Sequence, residues 1–256
     1  MAGATLLNFR ADAMEIPDSL SLRFAGATDI GRRRQENQDR WLVLTVPALA
    51  VVADGMGGLQ HGGRAAQQAL DTLQVRLARG LPADDTGWVA LLDAVNAEVH
   101  ALGRQLGARQ GIGSTLTLAA RTPRGLTLAH VGDSAAFRLR GSRLEQLTPE
   151  HTVAAGQAQQ RAAGRVPEPT TAPGHALTSC LGLPHLPLRF VGAADLARGD
   201  RLLLCSDGLH KSVTSPEIAE LLGADSPLEQ IVAALLLRAN ERGGPDNITA
   251  IVGAAW

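Results

Sequence analysis

The sequence predicts an α+β fold built on antiparallel sheets. Candidate strands come in runs rather than alternating one-to-one with helices, as a doubly wound parallel sheet would require. The order along the chain is strands, two helices, strands, an insertion, one strand, helices and a last strand. No internal repeat or linker interrupts it. The 256 residues therefore predict one domain over 21–256, preceded by a loose N-terminal extension over 1–20.

The first half of the chain supplies strands and two long helices. Short apolar runs bounded by turn residues predict strands, and apolar residues at helical spacing followed by Gly predict helices. The predicted strands are 22–28, 40–46, 49–53, 114–120, 126–131 and 135–140, and the predicted helices are 65–79 and 88–106.

The second half begins with a segment of different character. Residues 150–176 have no strong apolar period and contain three prolines, so they predict a mobile flap with at most a helix around 157–163. Beyond it, apolar runs predict strands 201–205 and 247–255. Ser226-Pro227-Leu228-Glu229 has the pattern of a capping box and predicts a helix that ends near Arg242.

Composition excludes several classes of protein. A formal net charge of −1 gives no general attraction to nucleic acid or to an anionic membrane. Two cysteines are too few for a disulfide framework. No stretch approaches the roughly 20 apolar residues of a membrane span, and the N-terminus lacks the basic start and apolar block of a signal peptide. We therefore expect a soluble cytoplasmic protein.

Five aspartates stand beside the ends of predicted apolar strands: Asp39, Asp54, Asp133, Asp207 and Asp246. Any one of them has the pattern of an ordinary turn residue. Apolar strands pack together, however, so their ends can bring several carboxylates close, and like charges at short range need cations. Hard oxygen ligands select Mg²⁺ or Mn²⁺, and the sequence has no Cys/His spacing for zinc.

Two further residues fit a phosphoryl-transfer site. Gly55 has no side chain, so its carbonyl beside Asp54 can face a metal. Two metals roughly 3.5–4 Å apart would activate a bridging water and stabilise an in-line displacement at phosphorus. Arg34, five residues before Asp39, could hold a phosphate through two hydrogen bonds. Its neighbours Arg32 and Arg33 are interpreted as solvated surface.

These residues resemble the PPM family of metal-dependent protein phosphatases, also called protein phosphatase 2C, in its compact bacterial form. The resemblance covers nearly the whole chain, and the motifs together are highly specific in their order. The matching segments are Thr28-Asp29-Ile30-Gly31 with Arg34, Asn37-Gln38-Asp39, Asp54-Gly55-Met56-Gly57-Gly58, Gly113-Ser114-Thr115, Val131-Gly132-Asp133-Ser134, Leu147-Thr148 with His151, 203–209, Gly243-Gly244 and Asp246-Asn247-Ile248-Thr249.

The resemblance implies a four-layer α-β-β-α sandwich, with two antiparallel sheets face to face and helices outside. It also implies that phosphoserine and phosphothreonine in proteins are hydrolysed by a metal-activated water, without a phosphoenzyme. The cofactors would be two Mn²⁺ or Mg²⁺ ions per site and a weaker third. The substrates would be phosphoproteins made by a Ser/Thr kinase, and the protein would be a monomer.

The resemblance also assigns roles to residues. Asp54 would bridge both metals, and Gly55 would offer its carbonyl. Asp207 and Asp246 would complete the first metal. Asp39 would act on the second metal through a water.

Three further roles concern the margin of the site. Asp133 with Asp207 would form the weaker third metal site. Arg34 would bind the substrate phosphate. The flap at 150–176 would lie beside the cleft and help to choose substrates.

The chain departs from the family pattern at several positions. Bacterial members often have His directly after the second motif, where this chain has Leu59; His61 comes two residues later and is interpreted as a loop residue rather than a general acid. Ala135, Glu150 and Ser179 replace the usual Arg, Asp and Arg of three other motifs. These changes concern the flap and its support more than the metals.

Two alternative functions can be compared with the sequence. A cysteine-based phosphatase needs an Arg closing its phosphate loop, but the residues six positions after Cys205 and Cys180 are Lys211 and Leu186. The alternative from another class is a catalytically inactive family member that acts as a regulatory binding module. Such a protein should have lost a metal aspartate or the phosphate-binding arginine, and this chain retains them all.

Overall fold

The structure is a computed structural model that describes residues 20–56, 61–109 and 111–256. The extension predicted over 1–20 lies outside these residues except for Leu20. The described strands are β1 Leu22–Asp29, β2 Asp39–Leu44, β3 Leu49–Asp54, β4 Leu116–Thr122, β5 Gly125–Val131, β6 Ala135–Arg140, β7 Arg143–Gln146, β8 Phe190–Ala194, β9 Arg201–Cys205 and β10 Ile248–Ala255. The described helices are α1 Gly62–Leu77, α2 Asp85–Gln105, α3 Val153–Ala162, α4 Asp207–His210, α5 Ser215–Leu222 and α6 Leu228–Glu241.

The strands form two five-stranded sheets in which the pairs are antiparallel. The first sheet has the order β1-β10-β9-β6-β7, and the second has the order β2-β3-β4-β5-β8. Helices α4, α5 and α6 pack on the first sheet, and α1 and α2 pack on the second. The predicted α+β fold is confirmed, as is the four-layer sandwich with two central antiparallel sheets.

Three hydrophobic cores correspond to the three interfaces between four layers. Val51 of β3 packs with α1 and α2, whereas its neighbour Val52 packs between the sheets. Successive side chains of a strand point to opposite faces, so β3 is buried on both sides. The middle core also contains Leu204 and Ile251 of the first sheet. Tight packing on both faces fixes where each strand ends, and therefore fixes the residues at those ends.

The segment predicted as a flap contains α3, which begins four residues before the helix expected around 157–163. Helix α3 buries none of its residues. The base of the segment is closed by backbone hydrogen bonds from Val153 N–H to the Ala176 carbonyl (3.0 Å) and from Ala154 N–H to the Gly174 carbonyl (2.8 Å). Its mobility and its role beside the cleft stay predictions.

The predicted capping box at Ser226 is wrong. Helix α6 begins after Pro227, which lies at the N-cap and makes no side-chain cap bond. The amide of Ser226 instead donates to the Ala224 carbonyl (3.0 Å), so that residue belongs to the preceding turn. The capping box of this region lies at α5, where Glu217 accepts from the backbone and hydroxyl of Thr214 at 3.1 and 2.8 Å.

Candidate metal centre

The centre is built first from the paired ends of β2 and β3. Asp39 and Asp54 are partners in the antiparallel register, one at the start of β2 and the other at the end of β3. The backbone of Asp54 is held by Thr115: the Asp54 amide donates to the Thr115 hydroxyl (3.0 Å), and the Thr115 amide donates to the Asp54 carbonyl (2.8 Å). The position of Asp54 is therefore set by backbone contacts, which leave its carboxyl group uninvolved.

Gly55 follows at a point where the chain has no room for a side chain. A Cβ atom built there would lie 2.3 Å from the Gly62 carbonyl oxygen and 2.8 Å from the Gln38 carbonyl oxygen. The Gly55 amide donates to that same Gln38 oxygen (3.2 Å), which ties the turn after β3 to the residue before β2. Glycine is therefore required at position 55 by close backbone approach.

Asp39 links the two sheets at this end of the sandwich. Its Oδ2 atom accepts hydrogen bonds from Ser206 Oγ (2.7 Å), directly after β9, and from Thr249 Oγ1 (2.6 Å) in β10, and both strands belong to the first sheet. Its Oδ1 atom is buried and has no hydrogen-bond partner among the described residues. Burial raises the pKa of Asp39 to about 6, partly opposed by the two hydroxyl bonds and reinforced by the charges of Asp207 and Asp246.

The charges of all four other predicted aspartates act on the Asp54 carboxyl group. Burial of its carboxyl group raises the pKa of Asp54 well above its usual value, and the negative charges of Asp39, Asp207, Asp133 and Asp246 raise it further, in that order. These are the effects expected of one carboxylate surrounded by others in a poorly solvated place. The register places Asp39 opposite Asp54, and the charges of the three other predicted aspartates reach Asp54 as well.

Asp207 and Asp246 reach the site from adjacent loops that pack tightly. Asp207 opens α4, and the next residue, Gly208, has no space for a Cβ because the Asn247 carbonyl oxygen would lie 2.0 Å away. Asn247 also organises the loop between β1 and β2. Its Nδ2 donates to the Ile30 and Glu36 carbonyls at 2.9 Å, and its Oδ1 accepts from the Gln38 amide at 2.9 Å.

Three supporting residues were not singled out from the sequence, namely Ser206, Thr249 and Asn247. Each stands next to or near a predicted aspartate and within a motif on which the family resemblance depends. That position is the only signal in the sequence that could have indicated their role. A hydroxyl or amide beside a strand end is otherwise typical of a turn.

Two basic side chains neutralise part of the cluster. Lys211 Nζ donates to Asp133 Oδ2 (2.7 Å) and to Asp207 Oδ2 (2.8 Å). Although partial burial disfavours the charged ammonium, these two aspartates raise the pKa of Lys211 above its ordinary value. Arg34 Nη2 donates to Asp246 Oδ2 (2.6 Å), and about two fifths of the Arg34 side chain is exposed. The predicted phosphate-binding arginine therefore lies at the site and contacts a predicted metal ligand.

The oxygen-rich composition of the site fits hard divalent cations. Its acidic side chains are carboxylates, which suit Mg²⁺ and Mn²⁺ rather than zinc. Asp39 Oδ1 is buried without a hydrogen-bond partner among the described residues, which leaves it available to a cation. In the described ranges, no three Asp, Glu, His or Cys side chains lie close enough together to hold a metal ion, and Lys211 and Arg34 are bonded to three of the carboxylates.

The two residues near the second motif have different outcomes. Leu59 lies outside the described residues. His61 is exposed, lies at the N-cap of α1 with φ of 68°, and its carbonyl accepts from the Arg64 and Ala65 amides at 3.0 Å. This is the position of a loop residue that starts a helix, in line with the interpretation from sequence. Arg32 and Arg33 are both exposed.

One property bears on membranes. Among the described residues, no helix combines the length and the apolar character that crossing a bilayer would need.

Comparison with known proteins places these features in context. A family model described as protein phosphatase 2C matches residues 28–252. Protein phosphatase PhpP of Streptococcus pneumoniae is 32% identical over 235 residues, which cover 87% of this chain and 93% of that protein. The PPM Ser-Thr phosphatase MsPP of Mycobacterium smegmatis, solved with cacodylate, is 32% identical with a TM-score of 0.77, covering 91% of this chain and 99% of MsPP.

A third relative was solved with metal. The catalytic domain of serine threonine protein phosphatase PstP, in complex with two manganese ions, is 33% identical and has a TM-score of 0.73. The alignment covers 93% of this chain and 99% of that domain. The family model, the related sequence and the two related structures thus all point to the same family of protein phosphatases.

Proposed function

The chain belongs to the protein phosphatase 2C family, a family of phosphoprotein phosphatases, and we propose that it acts on phosphoserine and phosphothreonine through a two-metal centre. The observation that carries this proposal is the pairing of Asp39 with Asp54 across β2 and β3, where the charges of the three other strand-end aspartates also act on Asp54. When bound, two Mn²⁺ or Mg²⁺ ions would supply an activated water and stabilise the charge that develops on the phosphoryl group.

The chain's own residues have distinct tasks in this proposal. Asp54 would hold both cations, with the Gly55 backbone carbonyl as a further ligand. Asp207 and Asp246 would complete the first cation site. Asp39 would act on the second cation, and its buried Oδ1, which has no donor among the described residues, supports that task.

Ser206 and Thr249 act through Asp39 as positioning residues. Both hydroxyls donate to its Oδ2, so the carboxylate plane is fixed and Oδ1 is left for another partner. Because Thr249 lies in the first sheet, Ser206 directly follows a strand of that sheet and Asp39 lies in the second sheet, the packing of the sandwich itself orients this carboxylate. A site held by rigid strands keeps the precision that catalysis at phosphorus needs.

Arg34 is proposed to bind the phosphate of the substrate. Its guanidinium offers a planar pair of donors suited to phosphate oxygens. In the structure it holds Asp246, but both side chains are at least one third exposed. Exposed ion pairs contribute about 0–1 kcal/mol, so exchange of the Asp246 carboxylate for a phosphate costs little.

The substrates proposed are phosphoproteins made by a Ser/Thr kinase, with the flap at 150–176 beside the cleft helping to select them. The related proteins are described as serine/threonine phosphatases, among them those of Mycobacterium tuberculosis and Listeria monocytogenes. We extend that activity to this chain, with action as a monomer in the cytoplasm. The proposal includes no nucleic-acid or membrane partner.

The experiment is a metal-dependence assay with two substrates, p-nitrophenyl phosphate and a phosphothreonine peptide. We expect hydrolysis of both with Mn²⁺ or Mg²⁺, loss of activity on exhaustive chelation, and recovery when metal is restored. Asp54→Asn should be inactive under every condition, whereas Asp195→Asn, a charge change in a different cluster, should behave as the wild type. Activity that survives exhaustive chelation would contradict the metal-dependent mechanism.

A further inference from the structure

Lys211 is the only lysine in the sequence, whereas the other 23 basic residues are arginines. This single ammonium group lies between two carboxylates of the metal centre, bonded to one oxygen of Asp133 and one oxygen of Asp207. A compact point charge with three donors can approach two separate carboxylates, whereas arginine presents a larger planar fork. The chain thus has its one lysine where a small cation fits.

The backbone fixes Lys211 in this position. It directly follows α4, and its amide donates to the Asp207 carbonyl (2.9 Å), so the two side chains stand one helical turn apart on one face. The neighbouring His210 is bonded through Nε2 to the Asp133 carbonyl oxygen (3.0 Å). One turn of helix therefore ties the ammonium to both of its partners.

The charge is needed at this point because Asp133 is buried. Only 7% of the Asp133 side chain is exposed, compared with 22% for Asp207. A buried carboxylate must be paired with a positive charge or neutralised. Among the described residues, the positive charge bonded to Asp133 is Lys211. An ammonium and a divalent cation would compete for the same two carboxylates.

We propose that the ammonium of Lys211 takes the place of a third divalent cation between Asp133 and Asp207, so that this chain binds two divalent cations rather than three. The proposal rests on the two-metal centre of the proposed function and replaces the weaker third site expected from the family resemblance. Lys211 contacts only Oδ2 of Asp207, so Oδ1 stays open to the first cation site. A tethered cation is present at every metal concentration, whereas a weak third metal would be present only at high concentration.

The test is the number of Mn²⁺ ions bound per full-length chain, measured by equilibrium dialysis with elemental analysis over a range of free Mn²⁺. Four proteins are compared: the wild type, Lys211→Met, Lys211→Met combined with Asp133→Asn, and Arg242→Met. The last removes the half-exposed Arg242 guanidinium, which is bonded to Glu217, and serves as a matched control. Circular dichroism checks that each is folded, and Lys211→Gln replaces Lys211→Met if that variant does not fold.

We expect two bound ions in the wild type and in the control, three in Lys211→Met with the added ion weaker, and two again in the double variant. Three ions in the wild type, or two in a folded Lys211→Met and Lys211→Gln, would overturn the role of Lys211 and leave the two-metal centre standing. Failure of the wild type to bind Mn²⁺ at all would instead overturn the proposed function, and this inference with it.

Discussion

Two clusters of charged side chains in this molecule differ in how their charges are balanced. The cluster that we call balanced consists of Arg138, Arg140, Glu145, Asp195 and Asp200; its two arginines face three carboxylates, but each carboxylate is bonded to an arginine. The contacts are short, from 2.5 to 2.8 Å. Burial alone would raise the pKa of Asp195, but hydrogen bonds from Arg140 and Arg138 lower it. Such a cluster needs nothing from outside.

The carboxylate cluster around Asp54 has the opposite character. Five aspartates face two basic side chains, Lys211 and Arg34, and Asp39 and Asp54 have no basic partner among the described residues. The pKa values of Asp39 and Asp54 are raised, whereas that of Asp195 is lowered. One cluster has every carboxylate bonded to an arginine, and the other leaves two carboxyl groups without a basic partner in the described part of the chain, which supports the proposal that the second binds cations. The difference separates the aspartates that pair within the fold from those proposed as metal ligands.

The largest effect that would sharpen this contrast is expected from Asp207→Asn. Loss of a metal ligand should lower kcat for p-nitrophenyl phosphate at saturating Mn²⁺ by about three orders of magnitude. The melting temperature should stay near that of the wild type, because the variant removes charge from a cluster that has too much of it. Asp195→Asn is the matched change in the balanced cluster and should leave kcat within about twofold of the wild type. Near-normal turnover with unchanged Mn²⁺ affinity would contradict the assignment.

Asp200→Asn should have the converse effect. The Asp200 side chain is 1% exposed and accepts bonds from Nε and Nη2 of Arg140 at 2.8 and 2.7 Å. The change places an amide NH₂ where a carboxylate oxygen accepts from Arg140, and the loss of a hydrogen bond by this buried side chain costs about 1–3 kcal/mol of unfolding free energy, measurable by urea denaturation. The folded variant should keep its kcat. Glu229→Gln, in the exposed pair with Arg23, should leave the unfolding free energy close to that of the wild type, and an equal cost for both variants would break the comparison.

Metal binding should stabilise the protein through the carboxylate cluster alone. At a free Mn²⁺ concentration of about 100 times Kd, the native state gains about 2.7 kcal/mol, which corresponds to a rise of about 5–10 °C in melting temperature. Scanning calorimetry with and without Mn²⁺ measures this shift. Asp54→Asn should lose it, and Asp195→Asn should retain it. The same shift in Asp54→Asn would mean that the cations bind elsewhere.

The sequence predicts the residues of the carboxylate cluster better than those of the balanced cluster. Strands that are apolar along both faces, such as β3 and β9, have clear ends, and the aspartates at those ends could be identified. Asp195 and Asp200 surround a turn between β8 and β9, and their arginines come from β6, more than fifty positions away. No local pattern connects residues that only the sheet brings together.

The same limit explains the elements and contacts that were missed. Strands β7 and β8 are four and five residues long, and helices α4 and α5 are four and eight residues long, too short for a clear period. The sequence around Lys211 gives no sign of its role, because its two partners are positioned by α4 and by the loop after β5. The role of a single charge depends on tertiary placement, whereas the type of a long strand does not.

The smallest expected effect is that of Arg34→Ala, which should change substrate binding more than the chemical step. Arg34→Ala should raise KM for a phosphothreonine peptide about tenfold, which corresponds to about 1.4 kcal/mol of lost binding. The inhibition constant for inorganic phosphate should rise by a similar factor, because the same guanidinium would hold that anion. The effect on kcat should be smaller, since the proposed metal ligands remain, although Asp246 loses its partner.

Arg33→Ala, one position away and also exposed, is the matched control and should change neither constant. Unchanged KM and phosphate inhibition in Arg34→Ala would show that this arginine only neutralises Asp246, so that the carboxylate cluster and the balanced cluster would then use arginine in the same way.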